Sequence, residues 1–206
     1  MSSSADQLVD KLRGQIRDER VLEAIREVPR DLFVPKRLAA EAWDNVPLPI
    51  GAGQTISQPL VVARMCELLQ LHGHERILDV GTGSGYHAAL LARLGAHVWT
   101  VERHATLSEQ AQANLRAAGI RNVTVVVGDG ARGLPETAPF DAINVAAAAG
   151  GAIPPALADQ LAEGGRLVAP VANGEQRLVV AHRTAEGMTL RRLERVRFVP
   201  LVSRRG

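Results

Sequence analysis

From residue 76 onward, short apolar runs alternate with helical stretches, and this alternation constrains the fold of the 206-residue chain more than any other feature. RILDV (76–80), HVWTV (97–101), VTVVV (123–127), FDAINVA (140–146) and RLVAPV (166–171) read as short apolar strands. Helical stretches at 86–94, 105–118 and 154–163 lie among them. Parallel strands need crossovers of that length, so the pattern predicts a mostly parallel sheet with helices on both faces. QRLVVAHR (176–183) and TLRRLERVRFVP (189–200) follow without an intervening helix, which predicts an antiparallel C-terminal edge and seven strands in all.

The first seventy residues read differently. Leu8, Leu12 and Ile16, then Val21, Leu22 and Ile25, recur at helical spacing and predict two amphipathic helices over 5–18 and 19–28, stopped by Pro29 and Pro35. PLPIGAGQTISQ (47–58) shows neither helical nor strand periodicity and reads as a shaped loop. A helix from Pro59 to about Leu71 follows, with proline favoured in its first turn. The chain is expected to form one unit, 1–72 supplying helices and the shaped loop and 73–206 the alternating sheet. There is no internal repeat.

The segment Asp79-Val80-Gly81-Thr82-Gly83-Ser84-Gly85-Tyr86 joins the first sheet strand to the next helix. Glycines there let backbone approach a ligand, and the helix N-terminus adds donors. Seventeen residues after Gly85, strand 97–101 ends in Glu102, placed to accept hydrogen bonds from both hydroxyls of an adenosine ribose. A dinucleotide site would show G-x-G-x-x-G and an apolar strand end. Here the third glycine comes one residue early and the strand end carries Asp79. A carboxylate there opposes a pyrophosphate and suits the ammonium and sulfonium of S-adenosylmethionine. Asp129, in Gly128-Asp129-Gly130 after strand 123–127, stands at the same sheet edge and suits an adenine amino group. Each acid also has a plainer reading: Asp79 as a backbone cap, Glu102 as a solvated strand end, Asp129 as a turn residue.

Composition excludes several classes. Cys66 is the single cysteine, so neither an internal disulfide nor a thiolate zinc cluster is expected. The six histidines show no i, i+3 or i+4 ligand pair, and no metal is expected. Lys and Arg number 24 against 22 acids, a net +2 spread along the chain, and aromatics are 3%, which argues against a nucleic-acid surface. No stretch of eighteen apolar residues suggests a membrane span, and MSSSADQLVD does not resemble a secretory signal, so a cytoplasmic chain is expected.

PLPIGAGQTISQP (47–59) resembles, without a gap, the signature stretch of the protein-L-isoaspartate O-methyltransferase family. The likeness extends to VPRDLFVP (28–35), LDVGTGSGY (78–86), GDGARGLPETAPFDAI (128–143), GGRLVAPV (164–171) and FVPLV (198–202). It implies a Rossmann-like class I methyltransferase fold that transfers methyl from S-adenosylmethionine to the free α-carboxylate of L-isoaspartyl residues, leaving S-adenosylhomocysteine and opening repair through a succinimide. It also implies Ser57 as the active-site serine, with Thr55 and Val202 at the substrate. At the cofactor it implies Gln54, Thr55, Ile56, Ser57, Asp79, Gly81, Thr82, Gly83, Ser84, Gly85, Glu102, Arg103, Asp129 and Gly130. The expected partners are isoaspartyl-containing proteins and peptides, met by a monomer.

Ser57 could equally cap the following helix. The stretch Asn144-Val145-Ala146-Ala147-Ala148-Ala149-Gly150 lacks the Pro-Pro-aromatic segment of enzymes that methylate planar amines. Two departures from the family pattern stand out, the alanine run 146–149 and Leu134 where an aromatic residue is common. A methyltransferase for a dedicated precursor peptide and a non-catalytic cofactor-binding module are the alternatives.

Overall fold

The computed structural model describes residues 3–203. Ser3 opens the first helix, α1 (Ser4–Leu12), with a capping box: its hydroxyl accepts from Asp6 N–H while the Asp6 carboxylate accepts from Ser3 N–H. α1 ends six residues earlier than its periodicity suggests. Gly14 follows, and Asp18 starts α2 (Glu19–Glu27) by accepting from the Arg20 N–H. Ile16, buried between them, packs in the core without being helical.

The segment 47–58 is a hairpin rather than an irregular loop. β1 (Leu48–Gly51) pairs antiparallel with β2 (Gln54–Ile56), Pro49 opposite Thr55. The turn holds Gly51, Ala52 and Gly53 at positive φ, which a two-glycine sequence permits. Its prolines hid the pairing, but a two-stranded ribbon tolerates residues that donate no ladder hydrogen bond. α3 (Pro59–Leu69) follows, with Gln58 rather than Ser57 at its N-cap and no side-chain cap bond.

The large sheet contains β3 (Arg76–Val80), β4 (His97–Glu102), β5 (Val123–Val127), β6 (Phe140–Val145), a two-residue β7 (Ala149–Gly150), β8 (Leu161–Asn173), β9 (Glu175–Thr184) and β10 (Gly187–Arg195). Its order is β10-β9-β8-β6-β3-β4-β5, with β7 added beside β8. β5 to β8 are joined in parallel and β9 and β10 are antiparallel. The expected helix at 154–163 is only α6 (Pro155–Asp159). β8 starts at Leu161 and breaks register between Phe140 and Ala142 of its neighbour, so 162–165 form an irregularity within the strand. The last strand stops at Arg195, and residues beyond it cross the end of the sheet: Ala148 N–H donates to Val199 O at 2.8 Å, and Leu201 N–H to Ala148 O at 2.8 Å.

Period-two alternation sorts the strands between two cores. Ile77, Val98, Ala142, Val168 and Val180 pack with α1–α3, α4 (Tyr86–Leu94) and Leu115 of α5 (Ala105–Ala117). Leu78, Val80, Ile143, Leu167 and Ala181 face the other way, onto Leu157 of α6 and Phe140. The N-terminal helices therefore share a core with the sheet that positions the site. Cys66 lies in that core, its thiol pushed upward by burial. No helix among the described residues is long and apolar enough to cross a membrane.

Candidate active site

β3 sits between β4 and β6, so the order in which strands are added reverses there, and a crevice opens beyond their carboxyl ends. Backbone bonds carry the chain into it: Gly81 N–H donates to Val101 O at 2.9 Å and Ala146 N–H to Val80 O at 2.7 Å. The β3–α4 loop turns upward because Gly81, Gly83 and Gly85 all take positive φ. At Gly85 a β-carbon would sit 3.3 Å from that of Ala111, so the glycine also lets α4 approach α5 closely.

A cavity of about 260 Å³ lies over these ends. Gly81, Gly83, Glu102, Arg103 and Gly130 line one side, and Gly53, Gln54 and Thr55 of the hairpin another. The crossing segment Val199–Val202 closes it, and Val80, Val101, His104 and Ala146 complete it. Glu102 is 5% exposed and accepts from Gly83 N–H and His104 N–H, each at 3.0 Å and one on each oxygen. A carboxylate has about four acceptor positions, so two remain for donors in the cavity. That spare capacity beside a glycine backbone fits the ribose of an adenosine cofactor.

Asp79 does something different from Glu102. It is fully buried and its oxygens are taken by side chains: Asn144 Nδ2 donates to one at 2.7 Å and Thr100 Oγ1 to the other at 2.7 Å. Thr100 also meets Thr82 Oγ1 at 2.7 Å. Asn144 Nδ2 lies 3.2 Å from Nδ1 of His87, whose pKa burial lowers to about 3. Neutral His87 therefore accepts at Nδ1, and both Asn144 amide hydrogens are used. Burial raises the Asp79 pKa to about 6, against the lowering effect of the Asn144 and Thr100 bonds and with a smaller upward push from Glu102. Asp79 thus presents a buried negative charge beneath the glycine loop, held without a cationic partner among the described residues.

A second cavity of about 390 Å³ adjoins the first. Thr55, Ala146 and Val199 line both. The second adds Pro47, Ser57, Gln58 and Val61 from the hairpin and α3, and Arg195, Val196, Arg197 and Phe198 from the end of β10 onward. Beneath this hairpin lies Arg30, wholly buried, in a 3-10 turn (Arg30–Phe33). Its Nη2 donates to the backbone carbonyl of Ser57 at 2.9 Å and its Nε to that of Ala42 at 2.8 Å, and its guanidinium stacks 4.7 Å from the Tyr86 ring centre. Burial lowers the Arg30 pKa and pushes that of Tyr86 up to about 12.

The residues singled out in the sequence fall into three groups. Gln54, Thr55, Gly81, Gly83, Glu102, Arg103, Gly130 and Val202 line the first cavity, and Thr55 and Ser57 the second. Ile56, Asp79, Thr82, Ser84, Gly85 and Asp129 are not among the lining residues. Ile56 is core, and Thr82 belongs to the Asp79 network. Ser84 is buried with its carbonyl accepting from Asn114 Nδ2 at 2.9 Å, and Gly85 caps α4. Asp129 accepts from Ala131 N–H at 3.0 Å and from Ser203 Oγ at 3.1 Å, tying the crossing segment to the end of β5. Sequence reading missed Arg30, Arg195, Arg197 and the Asn144–Thr100 pair around Asp79. It also missed His87, buried against Asn144. Among the described residues no cluster of His, Cys, Asp and Glu could hold a metal ion.

A family model described as protein-L-isoaspartate(D-aspartate) O-methyltransferase matches residues 3–206. The chain is 54% identical over 200 residues to a protein-L-isoaspartate O-methyltransferase of Chromobacterium violaceum, covering 96% of this chain and 89% of that one. A relative of the same name from Aeromonas hydrophila is 53% identical over 196 residues, 95% of each chain. Two solved structures are similar at 27% identity. One, named protein-L-isoaspartate O-methyltransferase, has a TM-score of 0.86 and is matched over 97% of this chain and 66% of its own. The other, a Plasmodium falciparum protein described as a protein-L-isoaspartate O-methyltransferase in complex with S-adenosyl-L-homocysteine, has a TM-score of 0.84 over 98% and 99%.

Proposed function

Because this chain belongs to the protein-L-isoaspartate(D-aspartate) O-methyltransferase family, we propose that its two adjoining cavities divide the labour of one methyl transfer, the smaller holding the cofactor and the larger the isoaspartyl residue. The enzyme transfers methyl from S-adenosylmethionine to the free α-carboxylate of L-isoaspartyl residues, the first step of repair through a succinimide. The observation that carries the assignment is the shared wall: Thr55, Ala146 and Val199 border both cavities, so a group in each would meet there.

S-adenosylmethionine supplies, when bound, an electrophilic methyl on a sulfonium. Glu102 holds the ribose with its spare acceptor positions, and Gly81 and Gly83 bring backbone close. Asp79 contributes fixed negative charge from below, while Thr82 keeps its hydroxyl network in place. Gln54 and Thr55 close the hairpin side, and Arg103, Gly130 and Val202 complete the enclosure.

At the acceptor, little proton chemistry is needed. A carboxyl with an ordinary pKa of about 3.5 to 4 is ionised at neutral pH and attacks without a general base. Alignment can supply on the order of 7–11 kcal/mol of barrier lowering. Hydroxyls of Thr55 and Ser57, on a hairpin pinned at its base by buried Arg30, orient that carboxylate, and the segment 195–199 keeps water from it. Ser57 is free for this role because Gln58 occupies the N-cap.

The wider reading is one functional unit, 1–72 with 73–206, acting as a cytoplasmic monomer on proteins and peptides rather than on nucleic acid or membranes. The core shared by α1–α3 and the sheet supports the single unit, and the 3% aromatic content supports the choice of substrate. The test pairs an isoaspartyl peptide with its aspartyl twin and labelled S-adenosylmethionine: label is expected on the first alone, and equal labelling of both, or of neither, overturns the reading.

A further inference from the structure

A groove of about 840 Å³ runs from the larger active-site cavity between α3 and β10. The two are continuous: Gln58, Val61, Arg195 and Val196 line both. Apolar side chains contribute to the groove, among them the buried Ile16, Leu68 and Leu178. Its charge is one-sided, five arginines against two carboxylates, Glu67 and Glu194.

Both carboxylates are already engaged. Arg64 donates to Glu67 at 2.6 Å and to Glu194 at 3.0 Å, and Glu67 accepts two further bonds, from Arg17 N–H and Asp18 N–H. Among the described residues, the side chains of Arg17, Arg166 and Arg191 meet no carboxylate. Arg195 pairs with Glu175 at 2.7 Å, but with its side chain 69% exposed that pair is a weak competitor. Arg197, beside them, lines the active-site cavity.

We propose that this groove is the docking surface for the polypeptide flanking the isoaspartyl residue, and that its arginines select substrates with acidic flanks. The occupant follows from continuity and charge. A damaged residue seated between Thr55, Ser57 and Val199 remains attached to its chain, and the open-ended exit lined by shared residues leads into the groove. Planar guanidiniums suit carboxylates there. The proposal rests on the assignment of the larger cavity to the isoaspartyl residue.

The experiment compares kcat/KM for isoaspartyl peptides identical except for neutral, glutamate or lysine residues on the N-terminal or C-terminal side. On one side at least, each glutamate is expected to raise kcat/KM about two- to fivefold at low salt, as a solvent-exposed ion pair does, and the gain to shrink at high salt. Lysine on that side is expected to lower it. In Arg17→Glu/Arg191→Glu the ratio of glutamate to lysine peptides is expected to invert, and in the milder Arg17→Gln/Arg191→Gln, which adds no charge, to approach one. Equal kcat/KM for all flanks in a wild type that methylates the neutral peptide overturns the groove proposal and leaves the activity standing. Failure to methylate the neutral peptide overturns the site assignment beneath it.

Discussion

Asp79→Asn is expected to stabilise the protein at neutral pH while weakening its hold on the cofactor. The carboxyl is fully buried and its pKa is raised from 3.8 to about 6, chiefly by burial. Between those two values the folded state binds more protons than the unfolded chain, so stability falls as pH rises through the window, and the loss is complete above it. A shift of about two units corresponds to about 3 kcal/mol. Asparagine removes the charge and can keep most of the bonding. Its oxygen still accepts from Asn144, and its amide donates to Thr100, whose hydroxyl then turns to donate to Thr82. Urea unfolding of the two proteins should therefore give similar stability near pH 4 and a gap opening in favour of the variant to about 2–3 kcal/mol at pH 7.5, or roughly 4–12 °C in Tm for a chain of this size. Calorimetry should show the opposite order for S-adenosylmethionine: wild-type affinity falls as pH drops through 6, while the variant binds about tenfold more weakly at pH 7.5 with little dependence on pH in this range. Parallel stability curves would refute the buried charge. Unchanged cofactor affinity at pH 7.5 would refute its purpose.

Other substitutions test the remaining parts of the site. Arg30→Met removes two hydrogen bonds and the contact with Tyr86, but also an expensive buried cation, so a net loss of about 1–4 kcal/mol is expected in unfolding experiments. Because Ser57 loses its anchor, kcat should fall at least about tenfold with cofactor Kd little changed, and Arg30→Lys should recover part of it; wild-type kcat in Arg30→Met would remove Arg30 from the positioning of the hairpin. Ser57→Ala should lower kcat more than cofactor affinity, and Glu102→Ala the reverse, with exchanged outcomes in turnover and calorimetry meaning exchanged roles. Gly130→Ala would place a β-carbon 2.5 Å from Val80 Cγ1, costing about 1–3 kcal/mol in thermal unfolding, and Val80→Ala should relieve part of that cost in the double variant.

What could be read from the sequence was what is local in it. The strands at 76–80 and 123–127 and the helix at 86–94 have the bounds their apolar runs and flanking turn residues predict, because a short apolar strand carries its signal in its own five residues, whether central as at 76–80 or at the sheet edge and partly exposed as at 123–127. Glu102 was legible for the same reason: position at a strand end, at a set spacing from a glycine loop, is enough to put it at the sheet's carboxyl edge. Errors fell where a distant contact decides a local matter. The hairpin at 48–56 forms although its sequence carries prolines in place of strand alternation, and the stretch 161–163 is drawn into β8 by Phe140 of a neighbouring strand despite following a helical run. Asp79 shows the limit most clearly. As a residue type at a strand end it looked like a ligand to the cofactor, but whether its oxygens face a cavity depends on Thr100 and Asn144, 21 and 65 residues away, and on His87 behind Asn144. These partners occupy both Asp79 oxygens and hold the carboxylate beneath the glycine loop. In the proposed role, the stability cost of that buried charge is offset by its attraction for the cation the cofactor carries. That is why stability and cofactor affinity should move in opposite directions when the charge is removed.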